Sequence, residues 1–318
     1  MAELQNYIVR PAKSLKEATD LWWPLMSELG WNRDLDDGKT HYHVARNGND
    51  WLLLTNKDTE KPEGCVVAFT YPNGTGWVGF FCVNAPLRQQ GLGRTLWTAL
   101  EASFHASGTS VIGLDGVEQQ VNTYKRRGFK DCAKIHLMVR PSLQEKALSS
   151  KVVALGEQDT VVDIRSVDFE ALAKLDLALN GLDRTALWTE EALFSRKDTY
   201  GFALENGTEL SGFVLVRRCE DGHRIGPLYA RTYSQAVHLL HLAMAKVSGS
   251  KGDERKGSFV AEVFGTNPVG KTLFEELGWA WAGLDYHRMW LDGKIPKEQA
   301  DGGRGTEEMF ATFDAAEG

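Results

Sequence analysis

The chain has 318 residues, with 36 Lys or Arg against 43 Asp or Glu and a formal net charge of −7. At 42% hydrophobic and 25% charged it can build packed cores, and its length suits two domains rather than one. The acidic balance excludes a binder that tracks nucleic-acid phosphates with a basic face, and fits a protein that handles small molecules or cationic partners.

In chain order, residues 7–11 read as a strand. Ser14, with Glu17 three positions on, forms a capping box for an apolar helix through Leu21, Trp22, Leu25, Met26 and Leu29. The acidic stretch 32–38 reads as a loop, and the β-rich runs 51–55, 64–71 and 77–83 follow, broken by turn residues. Leu96, Trp97, Leu100 and Phe104 recur at helical spacing. A strand at 110–114, a helix at 118–127 and a strand at 134–139 complete a first domain, 1–142. Residues 143–160 are polar and lose this rhythm, which marks a linker. The rhythm restarts in a second domain, 161–292: strand 161–165, helices 169–179 and 190–196, a hairpin of 200–204 and 210–217, strand 224–229, helix 234–247, strand 258–264, helix 268–277 and strand 286–290. Residues 293–318, rich in glycine and charge, read as a loose polar tail.

The halves share a signature as well as an order. Tyr124-Lys-Arg-Arg-Gly-Phe129 and Phe274-Glu-Glu-Leu-Gly-Trp279 follow one pattern 150 residues apart, which points to internal duplication. The four cysteines, Cys65, Cys82, Cys132 and Cys219, show no CxxC spacing, which argues against a zinc site or a disulfide framework. His238 and His241 have no acidic or cysteine companion nearby in sequence, and no metal is expected. The start MAELQNYIVRP has no apolar signal core and no 18-residue apolar run follows, so a cytoplasmic, non-membrane protein is expected.

The sharpest local feature is Val83-Asn-Ala-Pro-Leu-Arg88-Gln89-Gln90-Gly91-Leu92-Gly93-Arg94. A strand enters it and an amphipathic helix leaves it. Glycines there let successive N–H groups face an anion at a helix N-terminus, where the dipole favours negative charge. On the loop alone, an ordinary strand–helix turn is equally consistent. A dinucleotide fingerprint fits less well: Gly91-Leu-Gly93-Arg-Thr-Leu96 lacks the third glycine, although Asp115 lies where a ribose-binding acid would fall. At least three strand-like runs also precede the loop, where that fold wants one.

Arg88-x-x-Gly91-x-Gly93 resembles the Arg/Gln-x-x-Gly-x-Gly/Ala loop of the GNAT superfamily of N-acetyltransferases. The likeness is carried through residues 77–129, including Tyr124-Lys-Arg-Arg-Gly-Phe129, and both halves resemble the tandem type with a divergent second domain. It implies an α+β fold of two GNAT-like domains, each a mostly antiparallel twisted sheet flanked by helices. It also implies acetyl-CoA as cosubstrate. The amides of Leu92, Gly93 and Arg94 would cradle the pyrophosphate, within a loop that includes Gln89, Gln90 and Gly91. Arg88 and Arg94 would add charge. The Val83 N–H would polarise the thioester carbonyl and Tyr124 would protonate the leaving thiolate. Asn122 would help place the cofactor, in departure from the family, whose usual asparagine falls earlier, near Val117.

Many relatives carry a base on the strand before the loop, but residues 77–83 contain no carboxylate and no histidine. Asp115 is put forward, with Glu118, Asp36, Asp37, His43 and Glu262 also open. In the second half Asn267 keeps the family's cofactor-contacting position, but Phe274 has no proton to give and no paired glycines follow the strand ending at Tyr229. That half reads as a structural partner. The resemblance implies acetyl transfer to an amine, read as the primary amine of a small molecule, and the transfer is expected to be direct because no cysteine sits in the motifs to act as an acyl carrier. A non-catalytic acyl-CoA-binding or sensing protein and a protein lysine acetyltransferase stay open. The acids at 34–37 would either attract a cationic acceptor or form a solvated loop, and Trp22, Trp23 and Trp31 either pack or line its pocket.

Overall fold

A computed structural model of the chain describes residues 6–149, 152–248 and 256–318. The first half runs β1 (Tyr7–Pro11), α1 (Leu15–Glu28), α2 (Leu35–Val44), β2 (Trp51–Asn56), β3 (Pro62–Thr70), β4 (Thr75–Val83), α3 (Leu92–Ala106), β5 (Val111–Val117), α4 (Val121–Lys125) and β6 (Phe129–Arg140). The second runs β7 (Asp159–Asp163), α5 (Phe169–Asn180), β8 (Tyr200–Asn206), β9 (Glu209–Arg218), β10 (His223–Ala230), α6 (Tyr233–Ser248), β11 (Phe259–Phe264), α7 (Gly270–Glu276), β12 (Ala280–Leu291), α8 (Gly305–Glu308) and β13 (Met309–Ala311).

The Ser14 cap is in place: its hydroxyl accepts from the Glu17 N–H at 3.2 Å. Helix α2 is a correction, because its sequence reads as a loop. The Asp34 carboxylate accepts from the Asp36 N–H at 2.9 Å, and Asp37 accepts from the Asp34 N–H at 3.3 Å, a reciprocal box that starts the helix. The buried face of α2 is Asp37, Gly38, Thr40, His41 and Val44. With so few apolar residues on that face, periodicity cannot reveal it.

Among the described residues thirteen strands form one sheet, in the order β1-β2-β3-β4-β5-β12-β6-β11-β13-β10-β9-β8-β7. The halves exchange their long strands: β12 of the second half pairs with β5, and β6 of the first pairs with β11. Arg288 on β12 lies directly opposite Asp115 on β5, and its guanidinium holds both carboxylate oxygens at 2.9 and 2.7 Å with neither side chain exposed. One sheet face carries α3 and α4 at one end and α6 and α7 at the other. The opposite face carries a single core shared by both halves, containing Trp22, Trp51, Trp77, Trp188 and Phe213.

Residues 293–318 are not a loose tail. Strand β13 pairs with β10 and β11, and Met309, Phe310, Phe313 and Ala316 are buried. The charged residues that made this stretch read as solvated have partners: Asp314 accepts from Arg33 at 2.9 Å, and Glu317 pairs with His41. In the second half, β10 and β11 pair in parallel over three residues and then part, with β13 seated in the gap. The Asn267 amide donates to the Glu307 and Met309 carbonyls at 2.9 and 3.2 Å, so it holds this segment rather than a cofactor. His238 and His241 bond the Val153 and Ser149 carbonyls, each at 2.7 Å, tying the interdomain stretch to α6.

Candidate active site

In the first half, β4 and β5 pair in parallel only from Thr75–Val111 to Trp77–Gly113. At that apex a Cβ on Gly113 would lie 2.3 Å from the Trp77 ring, so the close approach requires glycine. Beyond it β4 bulges: the register with β3 slips between Cys65 and Val67, and Phe80 takes a positive φ of 49°. The strands diverge and leave a slot through the sheet, with a cavity of about 700 Å³. Val78, Phe80, Cys82 and Val83 line one wall, and Leu114 and Asp115 the other.

The loop that leaves β4 turns through Gln89 (φ 66°) and Gly91 (φ 86°) into α3. Among the described residues, no acceptor meets the amides of Gln89, Gln90, Gly91, Leu92 or Gly93. The first-turn amides of a helix have no intrahelical partner, so these form an anion-binding nest. The Arg94 N–H is not part of it, since it bonds the Gly91 carbonyl at 3.0 Å. The Arg88 side chain folds back, donating from Nε to the Val83 carbonyl at 2.8 Å and from its terminal nitrogen to Glu28 at 2.8 Å. The Gln90 amide donates to the Pro86 carbonyl at 2.8 Å. Gln89 and Gly93 reach the cavity, whereas Arg94 and Asn122 are exposed and lie off its wall.

The Asn84 N–H bonds the Glu63 carbonyl at 2.9 Å. Successive residues of an antiparallel ladder point to opposite sides, so the Val83 N–H faces away from β3, toward the slot. Tyr124 stands on the same cavity, its ring near Trp97 and Phe129. Burial, reinforced by the neighbouring Cys82 and opposed by Arg127, raises its phenol above the ordinary value. It is therefore protonated at neutral pH. Burial also pushes the Cys82 thiol up to about 12.

The candidate bases are dispersed. Asp115 is on the cavity wall; burial raises its pKa against the opposing pull of Arg288, which occupies both its oxygens. Glu118 reaches the His287 ring at 2.5 Å, and the His43 ring is 3.5 Å from the Thr189 hydroxyl. Asp36 is exposed. Asp37 is buried and accepts from Arg196 at 2.8 Å and Arg217 at 3.3 Å. The acids at 34–37 thus start a helix and neutralise arginines, and none of them lines the cavity. Glu262 sits behind the wall, paired with Arg224 at 2.6 Å, with its second oxygen unpartnered. Of the tryptophans, Trp22 is core and Trp31 lines the cavity.

Sequence reasoning missed the far wall. Arg224 and Tyr286 come from the second half, Arg33 from the segment between α1 and α2, and Ala315 and Ala316 from the C-terminal stretch. No local motif marks them, because strand exchange and the buried C-terminal segment bring them there.

The sequence matches the acetyltransferase (GNAT) family over residues 15–129 and an acetyltransferase (GNAT) domain over residues 172–251. The chain is a tandem member of the GNAT family. A curated relative, holothin acyltransferase from Pseudoalteromonas sp. (strain SANK 73390), is 28% identical over 251 residues, covering 78% of this chain and 77% of that one. A structure from Pyrococcus horikoshii described as that of a candidate acetyltransferase shares 20% identity at a TM-score of 0.74, covering 99% and 96% of the two chains. A tandem GNAT protein from the clavulanic acid biosynthesis pathway shares 13% identity at a TM-score of 0.62, covering 89% and 97%. This GNAT protein is an acyltransferase, and the donor its family uses is an acyl-CoA. Among the described residues no helix is long and apolar enough to cross a membrane.

Proposed function

We propose that the first half, residues 1–142, binds acetyl-CoA and transfers the acetyl group directly to the primary amine of a small molecule in the cytoplasm. The observation that carries this reading is the continuity of the free amides at the start of α3 with the slot between β4 and β5 and with Tyr124, all on one cavity. The pyrophosphate is held by the Leu92 and Gly93 amides, with Gln89, Gln90 and Gly91 completing the loop. Arg88 acts from its place beside the Val83 carbonyl and keeps the loop docked to α1. The pantetheine arm follows β4, and the Val83 N–H donates to the thioester oxygen, where negative charge develops on attack. The tetrahedral adduct collapses with release of the thiolate, which takes the Tyr124 proton, while the adduct nitrogen gives up one proton that restores the balance at the phenolate.

Direct transfer is supported by Cys82. It is the cysteine on the cavity wall, and a thiol raised to about 12 is almost entirely protonated at neutral pH, hence a poor acyl carrier. A small acceptor is supported by the cavity's reach inward to Arg33, Arg224 and Tyr286. The Asp115–Arg288 pair fixes β5 against β12 and so holds the slot open. The test is acetyl-CoA turnover across a broad amine panel, read by free-thiol release. CoA binding without thiol release above background for every amine would establish a binding or sensing protein instead. Turnover confined to protein lysines would establish the third reading.

A further inference from the structure

The slot does not end at the thioester. From Val83 the cavity continues along β4 to Val78, a run of at most roughly 16 Å at the usual strand rise. A two-carbon acyl group fills only its first part. The lining as a whole is more apolar than polar: Val78, Phe80 and Leu114 from the first half and Ala315 and Ala316 from the C-terminal segment stand on it, together with Arg33, Asp115, Arg224 and Tyr286. The end is closed firmly. The Trp77 indole donates to the Ala315 carbonyl at 2.9 Å, and the Tyr71 hydroxyl to the Glu317 carbonyl at 3.2 Å. The Asn180 amide donates to the Gly318 carbonyl at 3.2 Å. The Ala316 carbonyl lies so near β4 that a Cβ on Gly79 would come within 2.7 Å of it. At the two positions where this segment faces the cavity, the side chains are single methyl groups.

We propose that this apolar end receives an acyl chain longer than acetyl, and that Ala315 and Ala316 set the longest chain admitted. The inference rests on the acyl-CoA donor site proposed above and extends its donor class to short and medium straight-chain acyl-CoAs. The bond changes are those of the acetyl reaction: the amine nitrogen forms the amide bond and gives up one proton, the thioester C–S bond breaks, and the departing thiolate takes up one proton. The added methylenes take no part in chemistry. They gain affinity by leaving water for the apolar wall.

Binding separates this from the choice of acceptor. Calorimetry with CoA, acetyl-, butanoyl-, hexanoyl- and octanoyl-CoA on the full chain should show Kd tightening by about fourfold per methylene up to a limit. Ala316→Phe should remove that gain, weakening hexanoyl-CoA, which carries four more methylenes than acetyl-CoA, by about 250-fold while CoA and acetyl-CoA change little. Val78→Phe, from the opposite wall, should do the same and stands in if the first variant does not fold. A Kd independent of chain length, or equal weakening of acetyl- and hexanoyl-CoA by both variants, overturns this inference and leaves the donor site standing. Failure to bind CoA at all overturns both.

Discussion

Replacing Gly93 separates the loop's role in binding from its role in folding. Gly93 presents an unpartnered amide in the first turn of α3, and a Cβ there would meet only the Phe81 ring, at 3.3 Å. Gly93→Ala therefore asks the Phe81 ring to yield by a few tenths of an ångström, a cost below about 1.5 kcal/mol. Gly93→Asp adds a carboxylate close to where a bound pyrophosphate sits. One pair of like charges 4 Å apart at a partly buried site repels by about 4 kcal/mol, roughly a thousandfold in Kd. For the empty protein the sign reverses. An acid in the first turn favours the helix by about 0.3–1 kcal/mol, and loss of glycine adds a similar amount. Calorimetric titration with CoA, paired with thermal melting, should show Asp abolishing affinity at an unchanged or higher Tm while Ala weakens it modestly. Unaltered CoA affinity in Gly93→Asp, or equal losses for Ala and Asp, would refute the pyrophosphate assignment.

Tyr124→Phe should lower kcat by roughly 100-fold with acetyl-CoA affinity nearly intact; unchanged turnover would rule out proton donation by this phenol. Cys82→Ala should leave turnover nearly unchanged, whereas complete loss with retained CoA binding would indicate an acyl-enzyme. Asp115→Asn unbalances the fully buried Arg288 guanidinium, so urea denaturation should show a loss of about 3–5 kcal/mol. For Asp37, burial raises the pKa but Arg217, Arg196 and Arg33 outweigh it, and the carboxylate is held well below its usual range. A depressed acid contributes stability above its unfolded pKa of about 3.9 and loses it as pH falls through the folded value. The destabilisation caused by Asp37→Asn should therefore be the same at pH 7 and pH 5 and shrink below about pH 4; a decline already between pH 7 and 5 would contradict the pairing.

What could be read in the sequence was whatever depends on neighbours along the chain. The Ser14 cap, the amphipathic face of α3 and the glycines around Leu92 are each decided within a few residues, and all lie where expected. Arg94 and Asn122, expected beside the cofactor, are exposed residues that lie off the cavity wall. Helix α2 stayed hidden because its inner face is held by ion pairs with Arg196 and Arg217, residues some 160 and 180 positions away. The C-terminal segment was misread for a related reason. Asp314 and Glu317 look solvated in sequence, yet Arg33 and His41 neutralise them inside the fold. Local composition reports charge and says nothing about a countercharge hundreds of residues distant.

The reciprocal placement of β6 and β12 has a consequence for how the protein forms and breaks. Residues 1–142 made alone would leave β5 and β6 without the strand that lies between them, and residues 161–292 made alone would lack the β6 edge of β11. Neither half owns a closed set of hydrogen bonds, since the strand between β5 and β6 comes from the second half. Unfolding should accordingly be one cooperative event rather than two, because each half completes the sheet of the other.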